Sequence, residues 1–375
     1  MSNESQTRAW IEVNLDALRA NHDTLRRIVG AARHVIPMVK ADAYGLGMDR
    51  VVQALAPSGP WGWGVATASE GVALRASGVD RPVIVFTPLA PGAVELAACH
   101  RLTACISDLD ALDLWAAAAN RHGPLSFHVE IDTGMGRSGF DWRETSVWGP
   151  AARDRLEGNL IWEGVFTHFH GADAPETTPS ATQWERFRDA VAQLPVSRED
   201  LLVHAANSAA ALRWPEFGAD AVRPGIFLYG GNPAPGVPNV PVPEPVVAVR
   251  ARLAHVRQVP PGSTVGYGAT HISRGWERWG TVAIGYGDGL PRALGNRGSA
   301  LVHGRRVPIV GRISMDMTVV DISAVPEAEP GDVVTLIGRD GACEITVDDV
   351  AALAGTISYE ILTGLTPRLP RVSVT

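Results

Sequence analysis

Lys40 stands where the apolar run 34–39 gives way to a glycine-flexed stretch, Ala41-Asp42-Ala43-Tyr44-Gly45-Leu46-Gly47. A lysine held at a strand end among apolar neighbours loses its charge readily, and an uncharged amine is what Schiff-base and proton-transfer chemistry require. A lone lysine in that setting more often snorkels to the surface, so its company decides its reading. Much later, Tyr267 lies in Gly266-Tyr267-Gly268-Ala269-Thr270. Taken alone it reads as an aromatic packed on a glycine-rich turn, or as a phenol exposed for chemistry. His168 and His170 form a His-x-His pair, but no third His, Cys or carboxylate stands at a usual ligand spacing, so no metal site is expected.

The elements that must position these residues follow from periodicity. Between about 34 and 222, short apolar β-branched runs alternate with helical patterns, the signature of βα units and a parallel sheet. Strands are predicted over 34–39, 61–65, 82–86, 102–106, 127–131, 161–167, 201–204 and 219–222. This number of strands favours a closed (β/α)8 barrel over an open doubly wound sheet, and it puts Lys40 at a C-terminal strand end, the face where barrels hold their active sites. Before the first strand, Leu15, Leu18, Leu25 and Ile28 share a helical stripe, with Asn14 as N-cap and Gly30 as terminator. The segment 232–245, NPAPGVPNVPVPEP, is too rich in proline for either periodicity and reads as an extended linker. Period-two stretches at 246–259 and 307–322 then indicate a mostly antiparallel β domain, with helix returning near 347–363. The expected division is 1–237 and 238–375, the first residues, to about position 12, being candidates to pair with the second domain.

Composition agrees with a two-domain α/β protein. The chain has 375 residues, is 46% hydrophobic and carries a net charge of -7, without a basic patch for nucleic acid or an apolar stretch of membrane-spanning length. Its polar N-terminus lacks an apolar core of the signal-peptide kind, so a cytoplasmic protein is expected. Cys99, Cys105 and Cys343 lack metal-site spacing and are expected to be buried, inert thiols.

The Lys40 string resembles the pyridoxal 5'-phosphate lysine motif of the alanine racemase family, and seven further strings resemble that family's motifs in the same order. They are Asp132-Thr133-Gly134-Met135-Gly136-Arg137, Thr167-His168-Phe169, His204-Ala205-Ala206-Asn207-Ser208, Val222-Arg223-Pro224-Gly225-Ile226, the Tyr267 loop, and Gly311-Arg312-Ile313-Ser314-Met315-Asp316 with Ile357-Ser358-Tyr359-Glu360 completing the set. The resemblance covers essentially the whole chain. It implies a racemase that interconverts L- and D-alanine with two bases, Lys40 and Tyr267, on opposite faces of the substrate. It further implies a homodimer in which the tyrosine enters from the partner subunit, so that both sites are shared.

Residue by residue, the resemblance places Tyr44, Ser208, Tyr359 and the backbone of Gly225 and Ile226 around the cofactor phosphate, and Asn207 nearby. Arg137 would contact the cofactor's phenolic oxygen and, with the backbone near Met315, the substrate carboxylate. Asp316 would support that loop. His168, tied to Arg223, would favour the phenolate of Tyr267, whose ordinary pKa near 10 makes it a poor base. Arg223 would face the pyridine nitrogen; an arginine only donates, so the nitrogen stays unprotonated and the ring is a weaker electron sink, suited to proton exchange and little else. A salt-bridged structural arginine is the alternative. Asp173, Arg292, Arg312 and Ile357 map to an entryway, though as residues they read equally as surface or packing positions.

Two departures stand out. Glu130 occupies a position where many members carry a carbamylated lysine, and its carboxylate, on the same strand face as Asp132, is expected to orient Arg137 through a charge-assisted bond. A solvent-facing glutamate is the alternative. Ser373 stands where relatives often have an aromatic. Other readings are a racemase of serine or another small amino acid, a cofactor-binding barrel without catalysis, for which Tyr267 and Met315 would have no use, and a decarboxylase, against which Arg223 argues.

Overall fold

In the computed structural model, residues 7–156 and 158–375 are described. Eight parallel strands close a barrel. His34–Val35 pairs with Ala221–Val222, which pairs with Leu202–His204, then Leu160–Phe166, Leu125–Asp132, Thr103–Ile106, Val83–Val85 and Trp63–Val65. The ring closes where Met38 bridges Gly64 and where the Trp61 and Val39 amides donate to Val35 and Gly64. The first strand is shorter than its apolar run, because Pro37 has no N–H to extend a ladder. A two-residue strand, Phe140–Asp141, beside Leu125–Asp132 lies outside the predicted set.

The first helix, Leu15–Val29, starts on the Asn14 side chain, which accepts from the Ala17 amide at 2.8 Å, and stops at Gly30 with φ 84°. Its stripe packs on the barrel: Leu18, Leu25 and Val29 are fully buried, each contributing about 1.5–3 kcal/mol relative to exposure. Within the barrel strands the two faces divide. Phe127, Val129 and Ile131 face the helices in the main core, while Ile36, Ile84, Cys105, Phe166 and Ala221 form a separate cluster filling the lumen.

The second sheet runs Arg305–Pro308, Ser299–Val302, Val333–Asp340, Val247–Val259, Ala9–Asn14, Arg371–Val374, with Glu277–Val282 and Thr318–Asp321 branching from the long central strand. All its pairings are antiparallel except Ala9–Asn14 with Arg371–Val374. The N-terminal strand is therefore part of this sheet; residues 1–6 of the expected pairing segment lie outside the described residues. The 307–322 stretch splits into Arg305–Pro308 and Thr318–Asp321, and the loop between them carries Arg312, Met315 and Asp316. The proline-rich segment is tied down, since buried Asn21 accepts from the Glu244 amide at 2.7 Å and donates to its carbonyl at 2.9 Å. No helix is long and apolar enough to cross a membrane among the described residues.

One expectation about cysteines fails. Cys105 is buried, but Cys99 is exposed, because it ends the outer helix Pro91–Cys99 and lies 3.8 Å from the His122 ring, and Cys343, at the start of the short strand Cys343–Ile345, is only half-buried.

Candidate active site

Four consecutive non-glycine residues after Lys40 adopt left-handed backbone angles: Ala41, Asp42, Ala43 and Tyr44, with φ of 52°, 53°, 53° and 58°. Such residues cost about 1–2 kcal/mol each, so the run stores on the order of 4–8 kcal/mol that surrounding contacts must offset. Glu70 accepts from the Ala41 amide at 2.6 Å, Asp42 accepts from the Met48 amide at 2.7 Å, and the Tyr44 ring stacks on Tyr229 at 4.6 Å between centroids. Tyr229 in turn donates its hydroxyl to the Met38 carbonyl at 2.7 Å. The left-handed turn swings Tyr44 back beneath Lys40, so both side chains face one cavity of about 130 Å³ at the C-terminal mouth of the barrel.

Lys40, Tyr44, Arg137, His168 and Asn207 line this cavity, and so do Ser208, Arg223, Gly225, Ile226 and Tyr359. Burial lowers the pKa of Lys40, aided by Arg137 and Arg223 and opposed by Glu70. His168 is pulled down to about 3, by burial first and then by Arg223, Arg137 and Lys40. It is a neutral imidazole whose Nδ1 lies 3.3 Å from Arg223 Nη2. Arg223, buried, donates to His204 Nδ1 at 2.7 Å and to the carbonyls of Thr167 and Ala205 at 2.9 and 3.1 Å. Burial lowers its pKa to about 10, so it remains a cation at neutral pH.

The opposite end of the cavity is built for an anion. Ser208 Oγ accepts from the Gly225 amide at 2.8 Å, and Asn207 caps the following short helix by accepting from the Ala210 amide. A Cβ at Gly225 would collide with the Tyr44 hydroxyl. The buried Ile226 amide has no hydrogen-bond partner among the described residues. An orphan buried donor beside two hydroxyls and a glycine has the chemistry that a phosphate oxygen would satisfy. Tyr359 closes the rim, its pKa raised to about 12 by burial and by Asp173. The donor set therefore fits pyridoxal phosphate, with an amine at one side, anion donors at one end and a cation at the other.

Glu130 departs from its expected pairing. It is buried, but its carboxylate accepts from Ser138 at 2.7 Å and Ser107 at 3.4 Å. Among the described residues it makes no ion pair with Arg137. The reason lies in the loop: Gly139, at φ 107°, folds so closely over Glu130 that Ser138 meets the carboxylate, while the exposed Arg137 lines the cavity. Arg137 has no hydrogen-bond or ion-pair partner among the described residues, although Asp132 shapes its loop by accepting from the Gly134 and Gly136 amides.

Tyr267 and Met315 are not among the described residues lining the cavity; they are 68% and 53% exposed. Tyr267 sits on the loop of a small hairpin, Thr264–Val265 with His271–Ile272. Asn296 staples that loop to the next, donating to Thr270 and accepting from the Gly311 amide, while Arg312 packs against Gly268. The amides of Tyr286 and Gly287 fix the carbonyls of Ser314 and Met315, and Arg368 pairs with Asp316 at 2.6 Å. Arg292, in a short turn, and Ile357, 61% exposed, also lie outside the lining. His204, Tyr229 and Ser138 are contacts that motif reading left unassigned; His204 alone carried a signal, as the head of the His204–Ser208 string.

Residues 13–233 match the family model described as alanine racemase, N-terminal domain, and residues 246–373 match alanine racemase, C-terminal domain. The alanine racemase of Geobacillus kaustophilus is 40% identical over 366 residues, covering 97% of this chain and 94% of that protein. The structure of alanine racemase from Streptomyces coelicolor superimposes with a TM-score of 0.90 at 36% identity, covering all of both chains. That of the Bartonella henselae enzyme, described with covalently bound pyridoxal phosphate, gives a TM-score of 0.88 at 29% identity, covering 98% of this chain and all of that one. With matching models on both halves and relatives of this identity along its length, the chain belongs to the alanine racemase family.

Proposed function

We propose that the chain is a pyridoxal-phosphate-dependent alanine racemase working as a homodimer with shared sites. The observation that carries this reading is the Lys40 amine, its charge disfavoured by burial and two arginines, in a cavity whose far end offers the orphan Ile226 amide, Ser208 and Tyr44. Lys40 would anchor the cofactor covalently, the Tyr44, Ser208, Gly225, Ile226 and Tyr359 group would hold its phosphate, and Arg223 would meet its ring nitrogen. When bound, the cofactor supplies an electron-withdrawing ring that acidifies the substrate's α-C–H.

The chain's residues then divide the work. Lys40 Nζ moves a proton at the α-carbon on one face, and the partner subunit's Tyr267 moves one on the other. His168, neutral and accepting at Nδ1 from Arg223, carries its proton on Nε2 and would donate it to the tyrosine oxygen, which favours the phenolate. Arg137, without an internal partner, is available for the substrate carboxylate. Glu130 supports it through Ser138 and the loop backbone. Tyr359 narrows the space left for a side chain, which favours one as small as alanine's. The dimer is supported by exposed apolar side chains on the second domain, including Trp276, Tyr267 and Met315, a surface that a second copy would cover while supplying the missing wall of the cavity. Asp173, Arg292, Arg312 and Ile357 belong to the approach to that wall, and the division near residue 237 separates the two contributions.

The test is a stereochemical assay on L- and D-alanine with the cofactor-loaded wild type, Lys40→Ala and Tyr267→Phe. Interconversion by the wild type is expected. Lys40→Ala should lose cofactor linkage, and Tyr267→Phe should slow proton exchange more from one enantiomer than the other. A wild type that binds the cofactor yet leaves both enantiomers unchanged refutes the reading.

A further inference from the structure

Behind Arg223 a file of side chains crosses the barrel. Arg223 Nη1 lies 2.7 Å from His204 Nδ1, His204 Nε2 lies 2.8 Å from His128 Nδ1, and His128 Nε2 lies 3.3 Å from Glu163 Oε2. A guanidinium only donates, so His204 Nδ1 must accept. A neutral imidazole has a single N–H, so His204 donates from Nε2 to His128 Nδ1, and His128 donates from Nε2 to the carboxylate. The file thus has one direction, from cation to anion, with both rings in the Nε2–H tautomer. The opposite tautomer at His204 would set two donors face to face. Burial keeps His204 neutral, lowering its pKa well below the ordinary value.

We propose that His128 and Glu163 are positioning residues for Arg223, acting through His204 by this directional chain to hold the guanidinium plane that faces the cofactor ring. The proposal rests on the reading of Arg223 given above. The lumen around the file is apolar: Phe166 stacks on His204 at 5.2 Å with an angle of 4°, and Ile36, Ile84, Cys105 and Ala221 fill the rest. In such surroundings a broken link leaves a buried polar atom unpaired and the chain loses its direction. The strand next to His128 makes room for it. A Cβ at Gly164 would come within 2.7 Å of His128 Cε1, and glycine weakens a strand interior unless something occupies the space.

Only the far end meets water. The Glu163 side chain is 27% exposed and faces a cavity of about 480 Å³ at the barrel's N-terminal mouth. There it also accepts from Ser126 Oγ at 3.3 Å and Thr103 Oγ1 at 3.5 Å. With Glu163 gone, His128 has no acceptor for its Nε2–H, and both rings are free to exchange tautomers. Arg223 Nη1 then loses its partner, while Nη2 keeps the Thr167 and Ala205 carbonyls and the group pivots.

The experiment uses full-length, cofactor-loaded protein with ¹⁵N-labelled histidine. Ring spectra of the wild type should show Nε2–H at both His204 and His128, a result that can be read whether or not the chain racemises alanine. Glu163→Leu should lower kcat on alanine by about tenfold, with KM within about twofold, and alter the His204 ring signals. Glu163→Gln, whose amide oxygen still accepts, should return both readouts close to wild type. An Nδ1–H proton on wild-type His204 overturns the proposal, as does a Glu163→Leu variant with unchanged His204 signals, or one that changes KM alone. If Glu163→Leu does not fold, the wild-type spectrum and the glutamine variant decide.

Discussion

Two inactive variants, mixed, test whether the sites are shared. Lys40→Ala removes the amine from the cavity, and Tyr267→Phe removes a hydroxyl from a loop that is exposed on its own chain and outside that cavity. Each loss of a proton-transfer group alone should cost about 10²–10⁴-fold in turnover. After free exchange of equal amounts, half the dimers are mixed. In a mixed dimer one site joins the intact Lys40 of one protomer to the intact Tyr267 of the other, while the second site lacks both. One site in four is then whole, so the mixture should recover about a quarter of wild-type activity. If each chain instead folded Tyr267 over its own Lys40, every site would carry one defect and mixing would restore nothing. The assay is polarimetric racemisation of L-alanine before and after exchange by mild denaturation and renaturation, with differently tagged protomers to show that mixed dimers formed. Mixed dimers with no activity beyond the sum of the two variants would refute the shared site.

Two further outcomes follow from the cavity. Gly225→Ala puts a methyl where the Tyr44 hydroxyl sits, overpacking worth about 1–3 kcal/mol; cofactor affinity, followed by absorbance titration, should fall by about five- to 150-fold. His168 has a native pKa near 3 against 6.5 in the unfolded chain, so the unfolded state takes up the extra proton as pH falls between those values and native stability is lost there. In urea unfolding of the cofactor-free chain, His168→Gln should therefore gain about 2–3 kcal/mol relative to wild type between pH 7 and pH 4.5. An equal response of both proteins to pH would show that the imidazole titrates normally in the fold.

Local features of the site were legible in the sequence, and geometry that depends on distant strands was not. Lys40, Arg223 and Gly225 could be read because each sits beside a strand end with its glycine or apolar context adjacent. The left-handed turn at Ala41–Tyr44 has no such marker, since alanine and tyrosine give no local preference for positive φ and the turn exists only because Glu70, Asp42 and Tyr229 hold it. The pairing expected between Glu130 and Arg137 used strand alternation correctly, but the side chain beyond Asp132 was set by the fold of Gly139 instead. The file from Arg223 to Glu163 joins residues on three strands to one just past the end of a fourth, a relation that no spacing along the chain encodes. In the second domain, alternation at 307–322 showed strand character yet could not reveal the loop that presents Met315, because Ile309 and Val320 still bridge across its base.

The strand Ala9–Asn14 has a consequence for how the protein is made. It is synthesised before the barrel, but its neighbour in the sheet, Val247–Val259, begins more than 200 residues later, and its other neighbour, Arg371–Val374, later still. At about 5–20 residues per second, the wait for the first neighbour is roughly 10–50 s, long enough for the whole barrel to emerge. Throughout that interval a strand bearing Trp10, Ile11 and Val13 has no sheet to join. A nascent chain of this design has reason to be met by a chaperone early, and shortening the barrel's synthesis time should raise its folding yield more than stabilising the finished barrel would.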